Sequence, residues 1–307
     1  MVDGLVDKLV SSLGFVIIII SGYILKEKGF FKREDGVLIS KIVMNITLPA
    51  VIISGTKNME INFVTFGIIF LGIGCNLFTV LLSRIFHRKS SKEEKAIAMI
   101  NCSGYNIGNF AIPFASGFFD PIAVTYMCIF DIGNCFMNLG GTFALAENEL
   151  LGKSSFNKKN FIKTILSSIA FDVYLVLFLL TLLSINIPKE VLSLASIIGG
   201  GNSFLAMLMI GILLDLDNVK EKILKVRKIL FVRYLANFIL SIVIYVIVPI
   251  PKLAKIMIIL ILFSPISTAS VVYSNKINEN NEIPPLANSL SIVFGISIIT
   301  ALLLVFA

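Results

Sequence analysis

Residues 101–114 read NCSGYNIGNFAIPF. Apolar residues lead into this stretch at 96–99 and out of it at 114–119. Between them stand three asparagines (Asn101, Asn106, Asn109), two glycines (Gly104, Gly108) and Pro113. Proline removes a backbone donor and clashes with the preceding turn of a helix. Surrounded by hydrocarbon, an interrupted helix persists only where it is buried in protein or lines a watery cavity. A polar, proline-bearing centre in an oily segment therefore points to a site rather than to a plain span.

The rest of the chain sets that context. Of 307 residues, 57% are hydrophobic and only 15% charged. A soluble domain is nearer a quarter charged. Apolar runs long enough to cross about 30 Å of hydrocarbon recur along the whole length. The composition predicts an all-α polytopic membrane protein with ten spans, near 9–25, 36–55, 61–83, 95–116, 120–144, 161–183, 189–214, 228–249, 252–274 and 286–306. The first run follows Asp3 and Asp7 and has no small-residue cleavage site after it, so it reads as a span, not a signal peptide.

Twenty of the 26 lysines and arginines fall on one side of this arrangement and five on the other, with Lys41 inside the second span. The positive-inside rule places the rich side in the cytoplasm and both termini outside. The net charge of +7 thus reflects topology and anionic lipid, not nucleic acid. Cys75, Cys102, Cys128 and Cys135 lie in spans without zinc-ligand spacing and read as buried free thiols. His87, the only histidine, lies in a basic loop. No cofactor is expected.

The hydrophilic break at 146–160 divides the spans five and five. An odd number per half forces the second half to enter from the opposite side, the condition for an inverted repeat. The expected units are 1–145 and 161–307, joined by a cytoplasmic linker at 146–160. The halves echo each other. Each second span carries a breaker, Leu48-Pro49-Ala50 in one and Gly199-Gly200-Gly201-Asn202 in the other. Each fourth span carries a polar proline site: the opening stretch in one, and in the other ILFSPISTASVVYS (261–274), with Pro265 among Ser264, Ser267 and Thr268. Matching broken helices in inverted repeats point to a transporter's binding site. Kinks and close packing by small residues are the alternative for any single such span.

At these residues the sequence resembles the auxin efflux carrier family, which includes prokaryotic permeases linked to malate or malonate. The segment Asn106-x-Gly108-x-x-Ala111-x-Pro113 follows the family's Asn-x-Gly-x-x-Gly-x-Pro, with Ala111 replacing a glycine. Leu48-Pro49, Ile210-Gly211 and Pro265 are also similar, while residues 204–209 (FLAMLM) lack a proline often found there. The resemblance covers essentially the whole chain. It implies the sodium–bile acid symporter fold: ten helices in two inverted repeats, with spans 4 and 9 crossing at Pro113 and Pro265. It further implies a scaffold of spans 1, 2, 6 and 7, a moving domain of spans 3–5 and 8–10, an organic-anion substrate, and relatives that dimerise through the scaffold.

The expected function is alternating-access transport of a small organic anion. One wall of the substrate site would be Asn106, Gly108, Asn109 and Pro113; the other would be Ser264, Pro265, Ser267 and Thr268. Coupling stays open between Na+, H+ and no ion at all. Asp131, near the centre of span 5, is a candidate to carry a proton or bind a cation, since intramembrane ionisable groups are functional by default. Asp172 in span 6 is a second candidate or a structural partner. Lys41 either attracts an anion or snorkels to the cytoplasmic surface, and Arg233 near the start of span 8 reads the same way. Two mid-membrane aspartates also raise an intramembrane aspartyl protease, but Phe130-Asp131 and Phe171-Asp172 lack that family's Tyr-Asp and Gly-x-Gly-Asp contexts. HExxH is absent too, so no enzyme is expected.

Overall fold

A computed structural model describes residues 2–55, 61–116, 118–152, 158–216, 219–279 and 281–306. Among them there is no strand. The helices are α1 (Val2–Glu27), α2 (Arg33–Ile42), α3 (Leu48–Gly55), α4 (Phe63–Phe86), α5 (Lys92–Cys102), α6 (Ile112–Ala115), α7 (Pro121–Phe136) and α8 (Thr142–Leu151). Then follow α9 (Lys158–Ile165), α10 (Ile169–Leu182), α11 (Lys189–Gly199), α12 (Asn202–Leu213), α13 (Val219–Val246), α14 (Lys252–Leu262), α15 (Thr268–Ile277) and α16 (Ile283–Phe306). Single π turns at Val43–Thr47, Ile107–Ala111 and Met137–Gly141 precede α3, α6 and α8.

Helix falls at each of the ten apolar runs. Six continuous stretches are long and apolar enough to cross a membrane: Arg33–Gly55, Phe63–Phe86, Pro121–Leu151, Lys189–Leu213, Lys222–Val246 and Ile283–Leu302. Local chemistry sets their ends. Asn62 accepts a hydrogen bond from the Thr65 amide and caps α4, Ser91 caps α5 through the Glu94 amide, and Pro121 opens α7. Such caps satisfy donors that have no partner inside the helix. One expectation needs correcting. The sixth run is not continuous: Ser168 accepts from the Phe171 amide and starts α10 anew after α9. At the two ends of the 146–160 linker, α8 runs to Leu151 and α9 begins at Lys158; residues 153–157 lie outside the described residues.

Two packing groups emerge. In one, α1 packs on α12, α2 on α12, and α3 on α10 and α11. In the other, α4 packs on α5, α7 and α13, α5 on α8 and α15, and α13 on α14 and α16. Close approach inside each group rests on glycine. A Cβ on Gly22 (α1) would meet the Leu208 carbonyl of α12 at 2.7 Å, and one on Gly133 (α7) would overlap the Ile69 carbonyl of α4. The groups meet where α3 and α10 touch α7 and where α12 touches α6.

Candidate functional site

The fourth helical run stops at Cys102 and resumes at the π turn Ile107–Ala111. The ninth stops at Leu262 and resumes at Thr268. The two gaps lie against each other. Tyr105 and Ile266 form an antiparallel bridge, with Asn106 N–H donating to the Pro265 carbonyl at 3.0 Å and Ser267 N–H to the Gly104 carbonyl at 3.1 Å. The crossing in the fourth run therefore falls at residues 103–106, ahead of Pro113. Pro113 sits in α6, which continues the π turn without a break, Ala111 and Ile112 both being helical. Pro265, by contrast, lies in the crossing itself.

Unwound backbone inside an apolar bundle must find its hydrogen bonds elsewhere. Here side chains supply them. Asn76 Oδ1 accepts from Gly104 N–H at 2.8 Å, and Asn134 grips both backbone groups of Tyr105 at 3.2 Å. On the other gap, Ser291 Oγ accepts from Ile266 N–H at 2.9 Å and Asn288 Nδ2 donates to the Ile266 carbonyl at 2.7 Å. Asn237 joins the two: it accepts from the Tyr105 hydroxyl at 3.0 Å and donates to the Leu262 carbonyl at 2.6 Å. Gly104 makes the turn at φ +72°, a left-handed conformation that favours glycine.

Arg233 is the largest departure from expectation. Far from snorkelling, it is 0% exposed. Its Nη1 donates to the Cys102 and Ser103 carbonyls at 3.0 and 3.1 Å, and its Nη2 to the Ser264 and Pro265 carbonyls at 3.1 and 3.2 Å. The guanidinium also lies 5.0 Å from the centroid of the Tyr105 ring, within cation–π range. Because α13 begins at Val219, Arg233 is roughly 20 Å along it and not at its start. The signal in the sequence was one arginine inside FVRYLANF.

Asp131 is buried, 5% exposed. It accepts from Asn134 Nδ2 at 2.9 Å and from the Tyr174 hydroxyl of α10 at 3.0 Å. Among the described residues it has no ion pair; neutral donors alone offset its desolvation. Through Asn134 it is one residue from the crossing, and through Tyr174 it reaches the other packing group. Asp172 lies half-buried in the first turn of α10, where a helix N-terminus favours a carboxylate, and not at a span centre. Lys41 is exposed in the last turn of α2, away from the crossing.

The remaining expected residues divide. Asn106, Asn109, Pro113, Ser264, Pro265 and Ser267 are buried, and Thr268 is partly so. Asn138 donates to Ser267 Oγ at 2.8 Å. Gly108 serves packing: a Cβ there would overlap the Leu48 side chain. Among the described residues, Asn109 Oδ1 and Ser264 Oγ have no hydrogen-bond partner, nor does Asn202 Nδ2. Asn202 opens α12 and accepts from Thr47 Oγ1 at 2.7 Å. The π turns carrying Thr47 and Asn109 touch each other and α12, so these amides border the boundary between the packing groups. Nearby, Ser203 Oγ donates to the Pro113 carbonyl at 2.8 Å.

A cleft of about 390 Å³ opens on that boundary, with Ser54, Ser116, Ser196 and Ser203 among its walls and no charged side chain among the described residues. A second cavity of about 220 Å³ lies at the far end of α5, between it and α13, and includes His87, Glu94, Lys225 and Lys228. Burial holds the His87 imidazole below its ordinary pKa, against the raising effect of the Ser83 carbonyl. The charge of that cavity at neutral pH is therefore carried by its lysines and Glu94.

Apolar helices folded around two paired, hydrogen-bonded helix breaks define a membrane protein of the transport class. Residues 10–164 match the family described as membrane transport protein, the auxin efflux carriers, and the chain belongs to that family. No curated protein matches the chain.

Proposed function

We propose that this protein is a secondary transporter that moves a small organic anion across the cell membrane by alternating access at the crossing. The observation that carries the reading is the Tyr105–Ile266 bridge; the cleft between the two helix groups opens further along the fourth run, at Ser116. Breaks paired in mid-bundle leave helix ends and amides free to bind without fixed charge. Ten spans in two inverted repeats, residues 1–145 and 161–307, account for the packing. The pairings α4–α7 and α13–α16 become equivalent, as do α14–α7 and α16–α5. With Arg233 removed from the loop count, the charge bias still places the loops after α1, α4 and α15 in the cytoplasm.

In this reading α1–α3 and α9–α12 form the scaffold and the rest moves against it. The cleft is the outward entry. The substrate's anionic group lies at the N-terminal ends of the helical run 107–115 and of α15, where backbone dipoles favour negative charge. Asn106, Asn109, Pro113, Ser264, Pro265, Ser267 and Thr268 surround it, and Asn202 faces it from the scaffold. Asp131 is the candidate proton carrier, since its Tyr174 contact spans the sliding boundary. Among the described residues, Asp172 and Lys41 make no side-chain hydrogen bond to the crossing's network, and the reading gives them no part in that step.

Charge movement in proteoliposomes on a solid-supported membrane tests the reading, with mono- and dicarboxylates as substrates. Expected is a carboxylate-dependent current, lost in Asn106→Ala and Asn109→Ala. A current that survives both changes moves the site elsewhere. Absence of current, together with absence of radiolabelled exchange, rejects the transport of carboxylates.

A further inference from the structure

We infer that Arg233 is a built-in cation: its guanidinium holds the place at the crossing where a dissociable monovalent ion would otherwise sit, so the crossing closes without sodium. The role in coupling rests on the transport reading above; the binding geometry does not.

Helices α5 and α14 both end at the crossing. Each C-terminus carries roughly half a negative charge, so the facing pair presents about one. Unwound carbonyls and half-helix C-termini are the groups that coordinate Na+ in transporters with broken helices. Here the last carbonyls of both runs converge on one fixed unit charge. The match is also geometric. One terminal nitrogen takes the pair Cys102 and Ser103, and the other takes the pair Ser264 and Pro265. The planar fork of arginine thus serves one broken helix with each prong, which a lysine ammonium cannot reproduce. Among the described residues, no carboxylate forms an ion pair with Arg233, so the two helix poles and the four carbonyls are its counter-charge. The four terminal N–H groups of the guanidinium are thus committed to backbone, and among the described residues only Nε lacks an acceptor. The transport reading puts the substrate's charge at the opposite, N-terminal pole.

The test is thermal unfolding of the purified protein in detergent. Wild type is compared in NaCl and in choline chloride at equal ionic strength, and equal Tm is expected. A saturable, sodium-specific rise overturns the inference without any variant. Arg233→Gly is then titrated with guanidinium chloride to 50 mM, against tetramethylammonium chloride. Binding to the vacated pocket raises its Tm saturably, by roughly 2–5 °C at a tenfold excess over the dissociation constant, while wild type shows no rise. Indifference of Arg233→Gly to guanidinium overturns the inference. Arg233→Gln keeps much of the length without the charge; a Tm equal to wild type also overturns it. If the glycine variant does not fold, the sodium arm and Arg233→Gln decide. Because unfolding needs no substrate, a failed transport assay leaves this result standing and condemns only the transport reading.

Discussion

The two helix breaks share a backbone plan and differ in their chemistry. At each, a helix ends and restarts, one residue enters the bridge, and side chains take up that residue's amide and carbonyl. At Ile266 the work is divided between Ser291 and Asn288. At Tyr105 one residue, Asn134, takes both groups and also binds Asp131. A positive φ occurs only in the first break, at Gly104. The two breaks thus share their backbone geometry, while the acidic group and its link to α10 belong to the first break alone among the described residues. Charge state can act on the crossing through Asn134 and has no counterpart route through the second break.

The largest effect breaks both sides together. Arg233→Ala takes a donor from four carbonyls at the crossing, of which only that of Pro265 keeps another, the Asn106 amide, and a loss of about 3–5 kcal/mol is expected, on the scale of splitting a buried pair. Denaturation of the detergent-solubilised protein measures it, with Arg233→Lys losing less. Next, Asn134→Leu against Asn288→Leu separates the breaks. The first strands the Tyr105 amide and one acceptor of Asp131, while the Tyr105 carbonyl keeps the Ile107 amide; the second strands only the Ile266 carbonyl. At about 1–3 kcal/mol per stranded buried group, Asn134→Leu should cost at least twice as much. Equal losses would erase the asymmetry.

Smaller effects sharpen the comparison. Gly104→Ala forces a left-handed alanine, costing about 1–2 kcal/mol, with its methyl 2.8 Å from Asn138 Oδ1. Ser264→Ala, in the other break, removes a hydroxyl without a hydrogen-bond partner and should cost less than about 0.5 kcal/mol. Tyr174→Phe should be the mildest of the changes at the first break, near 1 kcal/mol for one hydrogen bond. It should nevertheless alter the pH dependence of transport, because it frees Asp131 from the other helix group. An unchanged pH profile would separate Asp131 from coupling.

Much of this was legible in hydropathy. The apolar runs and the polar interruption at Pro265 were read at their observed positions. Pro113 misled, because a proline is conspicuous in sequence, yet it lies inside the helical run 107–115 and not in the break. The true break at residues 103–106 owes its shape to Gly104 and to amides on α4 and α7. Arg233 misled for a related reason. The start of span 8, placed at 228, falls nine residues inside α13, which begins at Val219, so a mid-helix arginine read as one near a helix end, able to snorkel to the surface. Asn76, Asn237 and Asn288 each looked like an isolated amide in oil, which packing explains equally well.

By itself, the sequence determined that the chain is a bundle of apolar helices, where those helices lie, and that two of them are interrupted by polar residues. Hydropathy and helix-breaking are local properties, carried by residues within a few turns of one another. Only the tertiary structure decided that the interruptions meet, that Arg233 closes them, and that Asp131 faces Tyr174. Those are questions of which donor reaches which acceptor. In an apolar interior each must be answered, and here the partner is often more than a hundred residues away, as it is for Arg233 and Cys102.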